Sequence, residues 1–206
     1  MSNWQFYFWT YLSCGLCAVV LSWLGALLIA RGKLFQIFCL AEGALVGGLV
    51  EELMAIRYVY PFLGGFIGFI GSEWFVKRFQ HHKNSAFICF YLFLSALLFF
   101  FTRVLLGHDT HVIQTIFGDL VTLLISEAKV MSALNVVVLV FLVFTLKRIV
   151  YRSFVRETID SSLSHSRIEI VFFVITFVVL SLSISKLGLL FTLGASFIPS
   201  LFLSQR

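Results

Sequence analysis

An all-α, polytopic membrane protein with about six to seven transmembrane segments is the fold class this sequence predicts, and three observations carry it. Of 206 residues, 60% are hydrophobic and only 12% are charged, about half the charge of an ordinary soluble domain. The apolar residues fall in uninterrupted runs long enough to cross a bilayer, where a buried soluble helix would show a polar face at helical spacing. Phe contributes 25 residues and Pro only 2, so the runs are free to be helical, and in lipid a helix satisfies its own backbone. A mean hydropathy of +1.02 agrees.

The first apolar run extends from about Phe6 to Ala30 and ends at Arg31-Gly32-Lys33. Its start has no basic region followed by a small-residue cleavage site, so it reads as a first span, with Trp4, Tyr7, Trp9 and Tyr11 as an aromatic belt at the water edge. The second run, Leu34 to Ile56, makes roughly 34 Å of helix against a hydrocarbon core of about 30 Å. It carries Glu42 near its midpoint. A carboxylate at that depth costs about 3 kcal/mol or more unless it finds a partner, water or a proton. The same run holds Gly43 and Gly47, a GxxxG spacing that lets a neighbouring helix approach closely.

Span three is expected from about Tyr58 to Val76 and span four from about Ser85 to Leu106, separated by the basic loop Lys77 to Asn84. Gly107 to Lys129 is too polar for a plain span. Span five is expected over Val130 to Leu146, followed by a polar loop from Lys147 to Arg167. Span six covers Ile168 to about Ser185, and Leu187 to Leu203 is a last apolar segment containing Pro199. The whole of residues 1–206 reads as a single transmembrane domain.

Loop charge sets the orientation. Alternate loops hold ten positive residues (Arg31, Lys33, Lys77, Arg78, Lys83, Lys147, Arg148, Arg152, Arg156 and Arg167), whereas the opposite loops hold four (Arg57, Arg103, Lys129 and Lys186). By the positive-inside rule the N-terminus is extracytoplasmic, and so is the region from His108 to Lys129. Confinement of the basic residues to short loops argues against nucleic acid as a partner.

Catalytic signatures are missing. No phosphate-binding loop, HExxH or GxSxG occurs, so no catalytic residue is assigned and the chain is not expected to be an enzyme. Cys14, Cys17, Cys39 and Cys89 all lie in apolar runs and read as small helix residues. Glu51, Glu52 and Glu73 sit near segment ends, where solvation is cheap. His108, Asp109 and His111 bring imidazole and carboxylate together outside the membrane, donor types that suit a divalent transition metal. An unliganded polar turn is the alternative there. Asp119 follows ten residues after Asp109.

Four blocks resemble the integral-membrane permease of ABC importers for zinc, manganese or iron. Gly25 to Arg31 resembles the end of that family's first helix, and Leu40-Ala41 with Ala44 to Gly47 resembles its second. Ile116-Phe117-Gly118-Asp119-Leu120 resembles its extracytoplasmic FGDLL block, the most specific match. Lys186 to Leu190 through Ser196 to Pro199 resembles its last block. The family's second helix usually carries G-D-x-L-x-H. Here Phe38 stands at the Asp position and Glu42 at the His position, and the chain ends where family members continue, so it reads as a shortened, divergent member.

The resemblance implies a permease subunit in the cell (inner) membrane that binds no cofactor itself. ATP would sit on a partner ABC ATP-binding subunit, an extracytoplasmic metal-binding protein would deliver a divalent metal, and a second permease chain would complete a homo- or heterodimer in the lipid bilayer. The substrate path would run past Glu42, Phe38 and Asp119, with Glu42, His108, Asp109 and His111 as metal-ligating candidates and Gly43 and Gly47 as packing residues. The alternatives are a non-transporting scaffold or regulatory subunit that keeps the permease fold, and, behind it, a proton-coupled carrier using Glu42.

The charge split makes a direct prediction. In a variant lacking the four native cysteines, single cysteines at His82 and Arg156 should react only with membrane-permeant reagents in whole cells, and one at Asp109 should react with impermeant reagents. Labelling of the Arg156 position from outside would invert the topology.

Overall fold

A computed structural model of the chain describes residues 3–54, 59–79, 82–103, 124–158 and 167–204. The described residues form seven helices: α1 Asn3–Ala30, α2 Leu34–Met54, α3 Val59–Arg78, α4 Lys83–Phe101, α5 Ile125–Thr158, α6 Arg167–Leu187 and α7 Leu189–Ser204. The all-α, polytopic expectation holds. Tyr7–Ala30, Lys83–Phe101 and Ile125–Tyr151 are long and apolar enough to cross a membrane by length and composition, and Val171–Leu187 and Leu189–Pro199 are shorter apolar helices.

The chain divides into two compact units. One comprises residues 1–31, 122–179 and 195–206, and the other residues 32–121 and 180–194. Two glycines make the sharp breaks. Gly32 (φ 64°) follows the end of α1, and Gly188 (φ 87°) separates α6 from α7. Both adopt the left-handed conformation that ends a helix at little cost only when no Cβ is present. At Gly188 the hydrogen-bond ladder is barely interrupted, because its N–H still reaches the Ile184 carbonyl at 3.1 Å and its own carbonyl accepts from Thr192 at 3.2 Å.

In the first unit α1 packs along α5. Among the buried residues of α5, Ala128, Met131, Asn135, Val138, Leu142 and Ile149 recur at alternating steps of three and four, with one turn skipped, and Ser132 is buried beside Met131. That is the seam of two helices lying side by side. Trp9, in the second turn of α1, lies 5.3 Å beneath the Lys129 ammonium, in the second turn of α5. The two helices therefore start at the same end of the unit, as the first and fifth spans of an alternating chain must. At the other end of α1, the Arg31 guanidinium lies over the Phe172 ring at 4.8 Å and the Phe173 ring at 5.5 Å, near the start of α6. Gly25 permits α7 to approach, since a Cβ there would strike the Ser196 backbone. Ser22 Oγ donates to the Ala195 carbonyl at 3.0 Å.

One expected boundary is corrected. The polar loop placed over Lys147 to Arg167 is helical through Thr158 and again from Arg167, and α5 begins at Ile125 rather than Val130. Its 34 residues span roughly 51 Å, well beyond a hydrocarbon core of about 30 Å. The fall in hydropathy at Lys147 does not end the helix, because backbone hydrogen bonding does not depend on side-chain polarity. Ile149 is still 1% exposed. At the other end, Glu127 lies in the first turn, where a negative charge complements the helix dipole.

The shared starting end of α1 and α5 is testable by cross-linking in a cysteine-free background. Cysteines replacing Trp9 and Lys129 should be joined by a short bifunctional reagent, whereas the pair Trp9→Cys with Tyr151→Cys should not. The opposite pattern would mean that α5 runs the other way and that residues 104–123 hold an additional crossing.

Candidate functional site

The second unit is built on α2, which packs most extensively against α3 and also along α4. Its contact with α3 is made backbone to backbone. A Cβ on Gly43 would strike the Gly64 carbonyl, and one on Gly47 the Tyr60 carbonyl; from the other side, a Cβ on Gly64 would strike Gly43 and one on Gly68 the Cys39 carbonyl. The GxxxG spacing of α2 thus meets a second GxxxG, Gly64 and Gly68, on α3. With no side chains between them the two helices gain van der Waals contact that larger residues would prevent. Gly48, one position further round α2, has nothing within 4 Å of where a Cβ would lie.

The two helices run antiparallel and are tied at one end by charge. Lys33 Nζ lies 2.7 Å from Glu73 Oε1, which also accepts from Gln36 Nε2 at 2.9 Å. Glu73 is therefore a paired acid. Both side chains of the ion pair are about a third exposed, so solvent screening limits its contribution to about 1 kcal/mol or less. Cys39, on the α3 side of α2, is hydrogen-bonded to Ser72.

A different face of α2 meets α4. Phe35 stacks on Phe87 with ring centroids 5.7 Å apart, and Phe38 meets the Tyr91 ring edge-on at 6.1 Å. One turn beyond Phe38, the Glu42 carboxyl is hydrogen-bonded to the Tyr91 and Ser95 side chains. Tyr91 and Ser95 are hydrogen-bonded to each other as well. Residues 35, 38 and 42 thus pair in order with 87, 91 and 95, and α2 and α4 run parallel. Glu42 is 5% exposed, and its Oε2 atom has no hydrogen-bond partner. A buried polar atom left without a partner costs about 1–3 kcal/mol, and more when it is charged.

Of the residues singled out from sequence, Glu42 and Phe38 lie together on the α4-facing side of α2, and Gly43 and Gly47 lie against α3. His108, Asp109, His111 and Asp119 lie outside the described residues. Among the described residues no three His, Cys, Asp or Glu side chains converge as a metal cluster. Tyr91 and Ser95 were missed. Their signal was present, since apart from Cys89 they alone interrupt the run from Ala86 to Phe101 with polar atoms, and their i, i+4 spacing puts both on one face.

The model of the ABC 3 transport family matches residues 3–203. Among solved structures, PsaBC from Streptococcus pneumoniae in complex with Fab is similar in fold, with a TM-score of 0.69 and 12% identity over 97% of this chain and 79% of that one. No curated protein matches the chain.

The glycine contact sets a prediction. Gly47→Leu should lower the yield of folded protein in detergent severely, because overpacking that costs about 1–3 kcal/mol in a deformable core here meets backbone that has no side chain to move. Gly48→Ala should leave the yield near wild type. Equal yields for the two would mean that α2 and α3 do not touch through Gly47.

Proposed function

This chain belongs to the ABC 3 transport family, and from that membership we propose that it is the permease subunit of an ABC-type importer for a divalent metal ion, forming the translocation path. On this reading residues 1–206 act as one permease domain in the cell (inner) membrane, with the N-terminus outside, and the protein is not an enzyme. Its sequence holds no phosphate-binding loop, so ATP would be hydrolysed by a separate ABC ATP-binding subunit. An extracytoplasmic metal-binding protein would deliver the ion, and a second permease chain, identical or not, would complete the path.

The observation that carries the reading is Glu42. A transport-family chain with an acid in the middle of a bilayer-length helix, 5% exposed and with one oxygen unpartnered, has the feature that a cation path needs. Acids at that depth are expensive to keep and mark ion routes when they are kept. A carboxylate is a hard oxygen donor, so manganese or iron suits it better than zinc. Asp119, with His108, Asp109 and His111, would stand at the outer mouth.

A second reading has its own support. Phe38 fills its place against Tyr91 with an aromatic ring, and a ring in the path suits a scaffold or regulatory subunit that keeps the fold without conducting.

Glu42→Gln separates the two, since it keeps shape and removes the charge. With the partner ATPase present, the variant should reach the membrane at near-normal levels and lose metal accumulation by at least about tenfold, the scale of losing one ligand. Wild-type accumulation in that strain would falsify the pathway role and leave the scaffold reading standing.

A further inference from the structure

We propose that the side of α3 turned away from α2 and α4 holds one anionic phospholipid, its acyl chain along Leu63, Ile67 and Ile70 and its phosphate on Lys77 and Arg78. This interaction surface does not depend on whether the chain conducts an ion.

Three sides of α3 differ in what they meet. Gly64 and Gly68 lie against the backbone of α2, and a Cβ on Gly71 would strike the Phe90 ring of α4. The third side carries Leu63, Ile67, Ile70 and Trp74, whose exposure runs from 47% at Ile70 to 69% at Trp74. Their spacing alternates between four residues and three, which places them in one stripe along the helix. One turn past Trp74 on the same side come Lys77 and Arg78, both exposed.

The order along this stripe is that of a phospholipid molecule. From Leu63 to Trp74 the helix rises roughly 17 Å. That is close to half of a hydrocarbon core of about 30 Å, the depth that the acyl chains of one leaflet fill. Trp74 stands where the stripe changes from apolar to charged. An indole suits that level, with its ring in hydrocarbon and its N–H toward polar groups. Lys77 and Arg78 then present an ammonium and a guanidinium, both donors to phosphate oxygens. On the topology read from loop charge, the leaflet is the cytoplasmic one.

Charge complementarity favours an anionic headgroup. Glu73 is the sole acid between Leu53 and His108 in the sequence, and it is engaged by Lys33 at 2.7 Å and by Gln36 at 2.9 Å. Lys77 acts on Glu73 only through space, so the cations at this end outnumber the acid that could neutralise them. Lys83, the first residue of α4, is a further exposed cation here. Aromatic rings brace the end of α3. Phe75 packs on Phe79 with centroids 4.9 Å apart and on Phe90 of α4 at 5.8 Å, and the His82 N–H donates to the Phe79 carbonyl at 3.0 Å. Cations on a braced helix end lose less freedom on binding than cations on a loose one.

Native mass spectrometry of the full chain in detergent tests this, with phosphatidylglycerol as the probe and phosphatidylcholine of the same acyl chains as the comparison. Wild type should hold phosphatidylglycerol at least about tenfold more tightly, the scale set by two basic residues at an anionic surface. The double variant Lys77→Gln, Arg78→Gln should lose that preference. The pair Lys147→Gln, Arg148→Gln removes equal charge from exposed positions on α5 and should keep the preference within about threefold. Trp74→Ala should weaken both lipids together, and glycerol 3-phosphate, a headgroup without acyl chains, should not compete. Thermal melts in lipid-free detergent establish that each variant is folded. Should the α3 double variant not fold, Lys77→Gln alone carries the test and should lower the preference by about fivefold. Equal retention of the two lipids by wild type, or an equal loss in the α5 pair, overturns the site in favour of diffuse attraction. Competition by glycerol 3-phosphate, or full binding in Trp74→Ala, overturns the acyl stripe. Unchanged phosphatidylglycerol binding in the α3 variants overturns the proposal, and if those variants also stop copurifying with the ATP-binding subunit, the face belongs to a protein partner instead.

Discussion

The contact of α2 with α3 through paired glycines is the constraint on which the rest of the second unit depends. Gly43 and Gly47 on one helix face Gly64 and Gly68 on the other, with carbonyl oxygens where side chains would otherwise lie. Once α2 is pressed against α3 on that face, its rotation about its own axis is set. Glu42, next to Gly43 in sequence, is turned about 100° away and comes to rest against α4 beside Tyr91 and Ser95. The position of the one deep acid in α2 thus follows from residues that carry no functional group at all. In a bilayer, where lipid tails are as apolar as leucine, close packing of this kind replaces the hydrophobic drive that would fix such an interface in water.

Four buried hydroxyls in the remaining described residues follow a different rule. Thr102, Ser132, Thr176 and Thr192 each donate to the carbonyl four residues earlier, every bond at 2.8 Å. A hydroxyl satisfied within its own helix needs no partner on another element and is tolerated in a non-aqueous interior. Glu42 has no such local solution, because a carboxylate has no proton to give to a carbonyl. It must be met by donors from elsewhere, and α4 provides two. That difference between self-satisfied hydroxyls and a buried acid dependent on its neighbours is why the α2–α4 face is the candidate site.

Charge acts mainly at the helix ends. Lys33 with Glu73 and Gln36 ties one end of the α2–α3 pair, Arg31 lies over Phe172 and Phe173 at the end of α1, and Lys129 covers Trp9 near the starts of α1 and α5. These are places where a cation stays close to water while its stem or its ring partner covers apolar surface. Within each unit they fix which helix ends lie together.

The sequence by itself determined the class, the approximate helices and the place of Glu42 near the middle of α2, because hydropathy and helical rise are local quantities that any run of twenty residues expresses. It also showed the Gly43 and Gly47 spacing, since close packing leaves a periodic gap in side-chain size. It misplaced the ends of α5, because a fall in hydropathy at Lys147 says nothing about whether the backbone goes on hydrogen-bonding to Thr158. It left Tyr91 and Ser95 unassigned, because their meaning depends on which helix α2 turns its acid toward. Only the tertiary structure decided that, since the choice between α3 and α4 rests on backbone approach between residues distant in the chain, which no local pattern records.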